Sequence, residues 1–208
     1  LQASSLTFIE RLGSDHDVAI YLFDGRPTLQ TLIGFTRDND ELTAAITSLD
    51  DYEVLDPSTN LNGAIVSGLE ILDSIAASDS DSMVGASMVV FTDGADMAGY
   101  VTNEEAEAAV ADSSHSVYAA GLGDSVDEDH MEAIGRDGFF SATDVTALDT
   151  VFDEVATSIS DEASSVYILA YCSPKRAGEH SLELQLLGTD ASMSFDFDAT
   201  GFSLGCDP

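Results

Sequence analysis

Hydrophobic residues along this chain follow two spacings, one typical of buried strands and one typical of helices. Near-continuous or short apolar runs predict strands at Val18–Phe23, Ala86–Phe91, Ser116–Ala120, Phe139–Phe140 and Val166–Tyr171. Apolar positions at helical spacing predict the end of a helix at Leu6–Leu12 and further helices near Leu42–Leu49, Leu61–Ile75 and Leu148–Ile159. An Ala/Glu-rich segment predicts a short helix at Asn103–Ala111, and another short helix is expected near Asp129–Ile134. This alternation predicts an α/β fold in which a mostly parallel sheet is covered by helices on both faces.

Two segments predict antiparallel hairpins. The strand Val18–Phe23 turns at Asp24–Pro27 into the alternating segment Leu29–Phe35, which predicts a hairpin at the edge of the sheet. Beyond Pro174 apolar residues occupy every second position, which predicts a β-hairpin with one buried face. Those residues are Leu182, Leu184, Leu186, Met193, Phe195 and Phe197. We therefore expect a first domain over residues 1–164, and the last core strand with a hairpin extension over residues 165–208.

The composition narrows the range of partners. In 208 residues there are 39 Asp and Glu but only 6 Lys and Arg, so the formal net charge is −33. Such a chain has no basic patch with which to displace counterions from phosphates, which excludes nucleic acid as a partner. The acidity is typical of a solvated surface and of proteins from salt-rich surroundings. A D-x-[DN]-x-[DN]-G calcium loop does not occur in the sequence.

Candidate chemistry lies at the end of one buried strand. The apolar run Met88–Phe91 ends in Thr92-Asp93-Gly94, which places the carboxylate of Asp93 at the carboxyl end of that strand. The segment Ser58-Thr59-Asn60 opens a predicted helix and supplies a hydroxyl that would reach the same edge of an open parallel sheet. A carboxylate and a hydroxyl together predict a hard divalent cation. Thr59 has an alternative role as the N-cap of its helix, and Asp93 an alternative role in a simple turn.

The two cysteines lie near the carboxyl end. Cys172 follows the last predicted core strand, and Cys206 lies in the tail. We expect them to be bonded to each other, and if they are, the compartment is oxidising, which means the periplasm, the cell surface or the exterior. No apolar run in the sequence is long enough to span a bilayer.

Four segments together resemble a von Willebrand factor A (VWA) domain. They are Phe8–Leu12 at the end of a first helix, the strand Val18–Phe23, Ser58–Leu61 at the start of a helix, and Val89–Gly94. The resemblance covers residues 1–164, and the tail that begins at Tyr167 resembles an extension of secreted bacterial proteins of this kind. It implies a three-layer, Rossmann-like sheet with an antiparallel edge strand.

The resemblance also implies a function. VWA domains carry a metal-ion-dependent adhesion site (MIDAS), at which Mg²⁺ completes its coordination with an acidic group of a partner protein. Thr59 matches the hydroxyl ligand of the second loop and Asp93 the carboxylate of the third. Mn²⁺ and Ca²⁺ are alternative ions. We therefore expect a secreted or cell-surface adhesion module that is not an enzyme.

The sequence departs from this family in one respect. Family members begin with a central strand that ends in D-x-S-x-S, and this sequence begins in the helix that follows such a strand, so we expect a longer protein. A literal D-x-S-x-S occurs at Asp190–Ser194 and would serve in a circularly permuted domain. The segment Ser194–Asp198 alternates as a strand does, which argues against that permutation.

Other sites are weaker. Asp24, Asp96 and Asp124 lie in loops at the same predicted edge, and we expect a turn residue at Asp24 and solvated acids at the other two. The sequence contains no H-E-x-x-H or phosphate-loop motif. Two alternatives to adhesion remain: a structural or assembly protein of the envelope with a degenerate metal site, and a metal-dependent hydrolase, for which no general base is evident beside Asp93.

Overall fold

Strands and helices alternate along most of the chain, as the hydrophobic spacing predicts. A computed structural model describes residues 2–12, 16–78, 85–164 and 171–202. The chain divides into two compact units, residues 1–165 and 166–208. The described helices are α1 (Gln2–Leu12), α2 (Asn39–Thr47), α3 (Leu61–Ser78), α4 (Asn103–Asp112), α5 (Glu128–Ile134) and α6 (Leu148–Ser164). The described strands are β1 (Val18–Leu22), β2 (Gln30–Thr36), β3 (Ser87–Thr92), β4 (Ser116–Leu122), β5 (Gly138–Ala142), β6 (Glu179–Gln185) and β7 (Ser192–Asp198).

A parallel sheet of three strands forms the centre of the first unit, in the order β3-β4-β5. Val90 of β3 lies opposite Ala119 of β4, and Ala120 lies opposite Phe140 of β5. Residues Ser116 to Gly121 are all buried, as expected for a parallel strand with helices on both faces. The carboxyl ends of the three strands therefore lie at one edge, where loops can bring side chains together.

Alternate residues of β4 separate two cores. Val117 and Ala119 pack against α3, α4 and α5, whereas Tyr118 and Ala120 pack against α1 and α6. The side chain of Ile65 from α3 is fully buried on the first face, and that of Val155 from α6 on the second. A helix layer on each face of the sheet confirms the predicted three-layer α/β fold.

The predicted hairpin is present in β1 and β2, which pair antiparallel, and its place at the edge of the parallel sheet stays a prediction. Ile20 and Ile33 of this hairpin pack on a small core that contains Ile9 of α1 together with Leu42 and Ile46 of α2. Within the described residues, the hairpin and the parallel sheet form separate sheets with no ladder of hydrogen bonds between them.

Side chains at the helix starts explain why several helices begin where they do. The carboxylate of Asp38 accepts hydrogen bonds from the N–H groups of Asp40 and Glu41 at the start of α2. A capping box starts α4, because the Thr102 hydroxyl accepts from the Glu105 N–H while the Glu105 carboxylate accepts from the Thr102 N–H. These reciprocal bonds satisfy N–H groups that a helix start would otherwise leave unpaired.

The second unit contains the predicted hairpin of β6 and β7, but its apolar face is not buried as expected. Leu184 lies opposite Met193, and Leu182 lies opposite Phe195. Met193 is 57% exposed and Phe195 is 49% exposed, whereas Leu182, Leu184 and Phe197 are half-buried, so the predicted face is buried only in part. The physical reason is that the alternation of a two-stranded sheet fixes which residues share a face but does not supply a layer to cover them. Ser192 and Ser194 of the D-x-S-x-S segment lie within β7.

Two predicted features fall outside the described residues. The strand expected at Val166–Tyr171 lies outside the described residues except for Tyr171. Cys206 also lies outside them. Among the helices of the described ranges, none combines the length and the apolar character required to cross a membrane.

Candidate metal centre

The turn after β3 presents Asp93 at the carboxyl edge of the sheet. Thr92, whose side chain is buried, donates its hydroxyl to the carbonyl oxygen of Gly94 at 2.8 Å and accepts the Gly94 N–H at 3.2 Å. These two bonds fold the chain back immediately after the strand. Asp93, between them, is exposed.

The start of α3 leaves the Thr59 hydroxyl unused. Asn60 is the N-cap, because its Oδ1 accepts from the Gly63 N–H at 3.2 Å and its carbonyl oxygen accepts from the Ala64 N–H at 3.1 Å. The alternative role of Thr59 as N-cap is therefore wrong. Within the described part of the chain, neither the Thr59 hydroxyl nor the Asp93 carboxylate has a hydrogen-bond or ion-pair partner.

The loop before α3 and the loop after β3 meet. The Thr59 carbonyl oxygen accepts hydrogen bonds from the N–H groups of Met97 at 2.8 Å and Ala98 at 3.0 Å. A Cβ atom built on Gly94 would lie 3.7 Å from the Thr59 hydroxyl oxygen. The structure thus brings the hydroxyl of Thr59 beside the turn that carries Asp93.

A third loop, after β1, joins this edge and contains Asp24. The Asp24 carbonyl oxygen accepts from the Asn60 N–H at 3.0 Å, which ties this loop to the start of α3. The Asp24 carboxylate is buried and binds the Nε of Arg26 through both oxygens, at 2.9 and 3.0 Å. Burial raises the pKa of this carboxyl, but the hydrogen bonds and charge of Arg26 outweigh burial and hold the pKa below its usual value. Asp24 is therefore engaged in fixing the loop.

Asp96 is not the solvated acid that the sequence predicts. Its Oδ2 accepts from the Asn62 N–H at 3.0 Å, and its Oδ1 accepts from the Gly99 N–H at 2.9 Å. Asp96 is half-buried. Its carboxylate accepts an N–H that the first turn of α3 would otherwise leave unpaired, and the bond from Gly99 closes the loop that contains Asp96. Asp124, in the loop after β4, is exposed as expected.

A buried polar network behind this edge was missed by the sequence analysis. Asn62 and His130 are 1% and 4% exposed, and the Asn62 Oδ1 lies 2.7 Å from the His130 Nε2. The His130 Nδ1 lies 2.8 Å from a carboxylate oxygen of Glu107. No sequence motif predicts this arrangement, because its members come from three different helices.

The donors at this edge are of the kind that suit a hard cation, and two of them would form only part of its coordination shell. Thr59 and Asp93 offer one hydroxyl and one carboxylate, which are oxygen ligands of the kind that Mg²⁺ and Mn²⁺ prefer. Across the ranges that the structure describes, no three His, Cys, Asp or Glu side chains are grouped so as to hold a metal ion. A cation held by these two residues would keep open positions for water or for a ligand.

Comparison of the sequence with protein families gives one match. The profile of the von Willebrand factor type A domain matches residues 2–154. No curated protein sequence matches the chain at a significant level.

Solved structures with a similar fold come from diverse organisms. The manganese-loaded TRAP protein of Plasmodium vivax has a TM-score of 0.60 at 13% identity, over 96% of this chain and 85% of that one. BatB of Bacteroides thetaiotaomicron has a TM-score of 0.57 at 16% identity, over 79% and 87% of the two chains. Proximal thread matrix protein 1 of the mussel byssus, with a zinc-occupied MIDAS motif, has a TM-score of 0.56 at 16% identity, over 76% of this chain. The match spans 39% of the length of that mussel protein.

Proposed function

The chain belongs to the von Willebrand factor type A domain family, and on this basis we propose that it is a protein-binding module that holds a divalent cation between Thr59 and Asp93. The cation, with Mg²⁺ or Mn²⁺ as the preferred ions, supplies positive charge and open coordination positions for an acidic group of a partner protein. The observation that carries the proposal is the approach of the Thr59 hydroxyl to the turn at Asp93.

The charge of the protein supports a role for a cation. At a net charge of −33 the protein repels acidic partners over most of its surface. An acidic side chain would be accepted only where a bound cation reverses the local charge. The exposed, unpaired carboxylate of Asp93 provides such a place.

The surface beside the two residues supports a protein partner. Met97 is 74% exposed and Tyr100 is 59% exposed, and both belong to the loop that follows Asp93. Large apolar side chains of these types are enriched at protein interfaces. The main chain at Met97 is bonded to Thr59, so an occupant of the metal centre would contact this loop as well.

The similar structures support the choice of a metal ion. The Plasmodium protein is manganese-loaded, and the mussel protein has zinc in its MIDAS motif. For this chain we propose an oxygen-preferring ion, because its two candidate ligands contain neither sulfur nor imidazole.

We also propose that the protein acts outside the cytoplasm, in the periplasm, on the surface or in the medium of a bacterium. The support is the pair of cysteines, Cys172 and Cys206, in a chain with only two. The bacterial source rests on the resemblance of the tail.

A second function is favoured by one observation. Thr59 and Asp93 would supply only two ligands of a cation's coordination shell. Such an incomplete site suits a structural or assembly protein whose metal centre is degenerate. A hydrolase is less well supported, since among the residues that the structure describes Asp93 is the one ionisable group at the centre whose oxygens have no protein partner.

Calorimetric titration of Mn²⁺ and Mg²⁺ into the protein tests the proposal. Saturable binding is expected for the wild type, and none for Asp93→Ala. Asp124→Ala removes an equal charge from a neighbouring loop of the same edge and is expected to bind as the wild type does. Equal heats for the wild type and Asp93→Ala would exclude the proposed site. A complete lack of saturable binding in all three proteins would favour the scaffold function.

The acidic ligand is tested separately with acetate as a substitute for the partner's carboxylate. In Mn²⁺-loaded protein, acetate is expected to displace bound water and lower the relaxation enhancement of water protons. Acetamide, which has the same shape without the charge, is the control. An equal effect of both solutes would exclude recognition of an acidic group.

A further inference from the structure

Asn62 in the first turn of α3 connects four parts of the first unit. Its N–H donates to Asp96 at 3.0 Å, in the loop after β3. Its side-chain Nδ2 donates to the carbonyl oxygen of Val101 at 3.0 Å and to the Oδ1 of Asn103 at 2.9 Å. Its Oδ1 faces the Nε2 of His130 at 2.7 Å. Every polar atom of this buried side chain is therefore satisfied.

The partners of Asn62 decide where the protons of His130 lie. Because the Asn62 Nδ2 faces two acceptors, its Oδ1 must be the atom that faces His130, and the His130 Nε2 must donate to it. The His130 Nδ1 faces the Glu107 carboxyl, so a proton is needed between those two atoms, on the ring or on the carboxyl. The chain of contacts Glu107, His130, Asn62 is then complete from a half-exposed carboxyl to the buried start of α3.

This chain lies directly behind the metal centre. Asn62 is three residues from Thr59 and bonds to Asp96, which is three residues from Asp93. Met97 and Ala98, which follow Asp96, bond to the carbonyl oxygen of Thr59. A shift of Asn62 would therefore move both loops that carry the candidate ligands.

We propose that Glu107, His130 and Asn62 form a positioning network that fixes the loop after β3 against the first turn of α3 and so sets the separation of the Thr59 hydroxyl from the Asp93 carboxylate. This inference rests on the proposed metal site for its function. The energetic reason is that a buried polar group left without its partner is costly, so the three side chains hold one arrangement. The network is thus a support for the site, and none of its members is a ligand.

The structure offers a matched control in His115. It is 4% exposed, like His130, and its Nε2 lies 3.0 Å from the Asp73 carboxylate. His115 precedes β4, at the opposite end of the strand from the metal centre. His130→Phe and His115→Phe therefore each remove one buried, carboxylate-paired imidazole, and only the first lies behind the site.

The first measurement uses protein without metal. Amide hydrogen exchange at Met97 and Ala98 is expected to be about tenfold faster in His130→Phe than in His115→Phe. Equal exchange at these two amides in both variants would overturn the proposal. This measurement does not depend on metal binding. If the wild type binds no Mn²⁺, the proposed metal function is wrong, and hydrogen exchange still tests whether the network positions the loop.

The second measurement is Mn²⁺ affinity. His130→Phe is expected to weaken binding by about 10-fold or more, as loss of a residue that orients metal ligands does, while His115→Phe leaves binding unchanged. Equal weakening by both variants would mean that His130 only stabilises the fold.

Substitutions of Glu107 extend the test at a position where unfolding is not expected, because its side chain is 39% exposed. Glu107→Gln is expected to keep the wild-type affinity, because its amide donates to the Nδ1 of a neutral ring whose Nε2 still donates to Asn62. Glu107→Ala is expected to weaken it, because the Nδ1 then has no partner. If His130→Phe does not fold, the comparison of Glu107→Gln with Glu107→Ala tests the proposal. Equal Mn²⁺ affinity in these two variants would overturn it.

Discussion

The N–H of Met97 donates to the carbonyl oxygen of Thr59 at 2.8 Å, which fastens the loop after β3 to the residue that carries the candidate hydroxyl ligand. Both atoms belong to the main chain, so this bond can form whichever residue other than proline replaces Met97, and whichever residue replaces Thr59. Side-chain variants at the metal centre therefore test its chemistry while its backbone remains in place.

Thr59→Val separates the chemistry of the hydroxyl from the stability of α3. Valine has the shape of threonine without the hydroxyl, so we expect loss of Mn²⁺ binding and a change in the free energy of unfolding below about 0.5 kcal/mol. Asn60→Ala is the matched variant and removes the N-cap, which costs about 1–2 kcal/mol, together with the bond from the Asn60 Nδ2 to the Arg26 carbonyl oxygen. Urea unfolding and calorimetry of both proteins test this. A Thr59→Val protein that is as unstable as Asn60→Ala would give the hydroxyl a structural role.

The absence of a side chain at Gly94 is expected to leave space for the cation beside the Thr59 hydroxyl. An added Cβ would lie 3.7 Å from that oxygen, which is an ordinary contact, so Gly94→Ala should retain Mn²⁺ affinity. Gly94→Val adds two methyl groups at the same place and should weaken binding by about 10-fold, since one lost ligand position costs about 1.4 kcal/mol or more. Calorimetry on the two variants compares them. Unchanged binding in Gly94→Val would put the cation elsewhere.

The elements that the sequence predicts correctly are those whose signal is local. The run Met88–Phe91 lies within β3, and the capping box at Thr102 and Glu105 explains the start of the helix that the Ala/Glu-rich composition predicts from Asn103. The edge position of Asp93 also follows from local order, because it is the first residue after a buried strand. Composition and spacing carry such information without reference to the rest of the fold.

The features that the sequence analysis missed depend on contacts between distant segments. His130 and Asn62 meet across 68 positions of sequence, and the helices that carry them show only ordinary periodicity. Asp96 resembles any acid in a loop until α3 places an unpaired N–H beside it. The exposed face of Met193 and Phe195 depends on whether another layer covers the hairpin, which alternation along a strand does not encode.

Cys172 and Cys206 are expected to be bonded in protein from an oxidising compartment. In the chain-entropy estimate, closing a loop of this length contributes about 3–4 kcal/mol. Intact mass before and after alkylation without reductant measures this, and no added alkyl group is expected. Ser substitutions at both cysteines should lower the free energy of unfolding, whereas two alkylated thiols in secreted material would contradict the bond and the location.

Asp24 is expected to make the stability of the first unit depend on pH. Its pKa is lowered in the fold by Arg26, so the folded protein keeps this carboxylate ionised at pH values where the unfolded chain binds a proton. The contribution is therefore fully present above the unfolded pKa of about 3.9 and is lost as the pH falls through the lowered folded value. Asp24→Asn keeps the shape of the side chain and removes this contribution.

The measurement is urea unfolding of the wild type and Asp24→Asn at constant ionic strength from about pH 6 to about pH 2.5, a range that includes the unfolded pKa. We expect the wild type to be more stable by about 1.5–3 kcal/mol at the upper end, the scale of a hydrogen bond to a charged group, and the difference to shrink at the lower end. In an Arg26→Gln background the same substitution should no longer lower the stability and should raise it, because it then removes a buried charge that has lost its partner. A difference that stays constant across the range would mean that the Asp24 carboxylate is not stabilised by Arg26. The loop after β1 would then be held to the start of α3 by Asn60, whose N–H donates to the Asp24 carbonyl oxygen and whose Nδ2 donates to the Arg26 carbonyl oxygen.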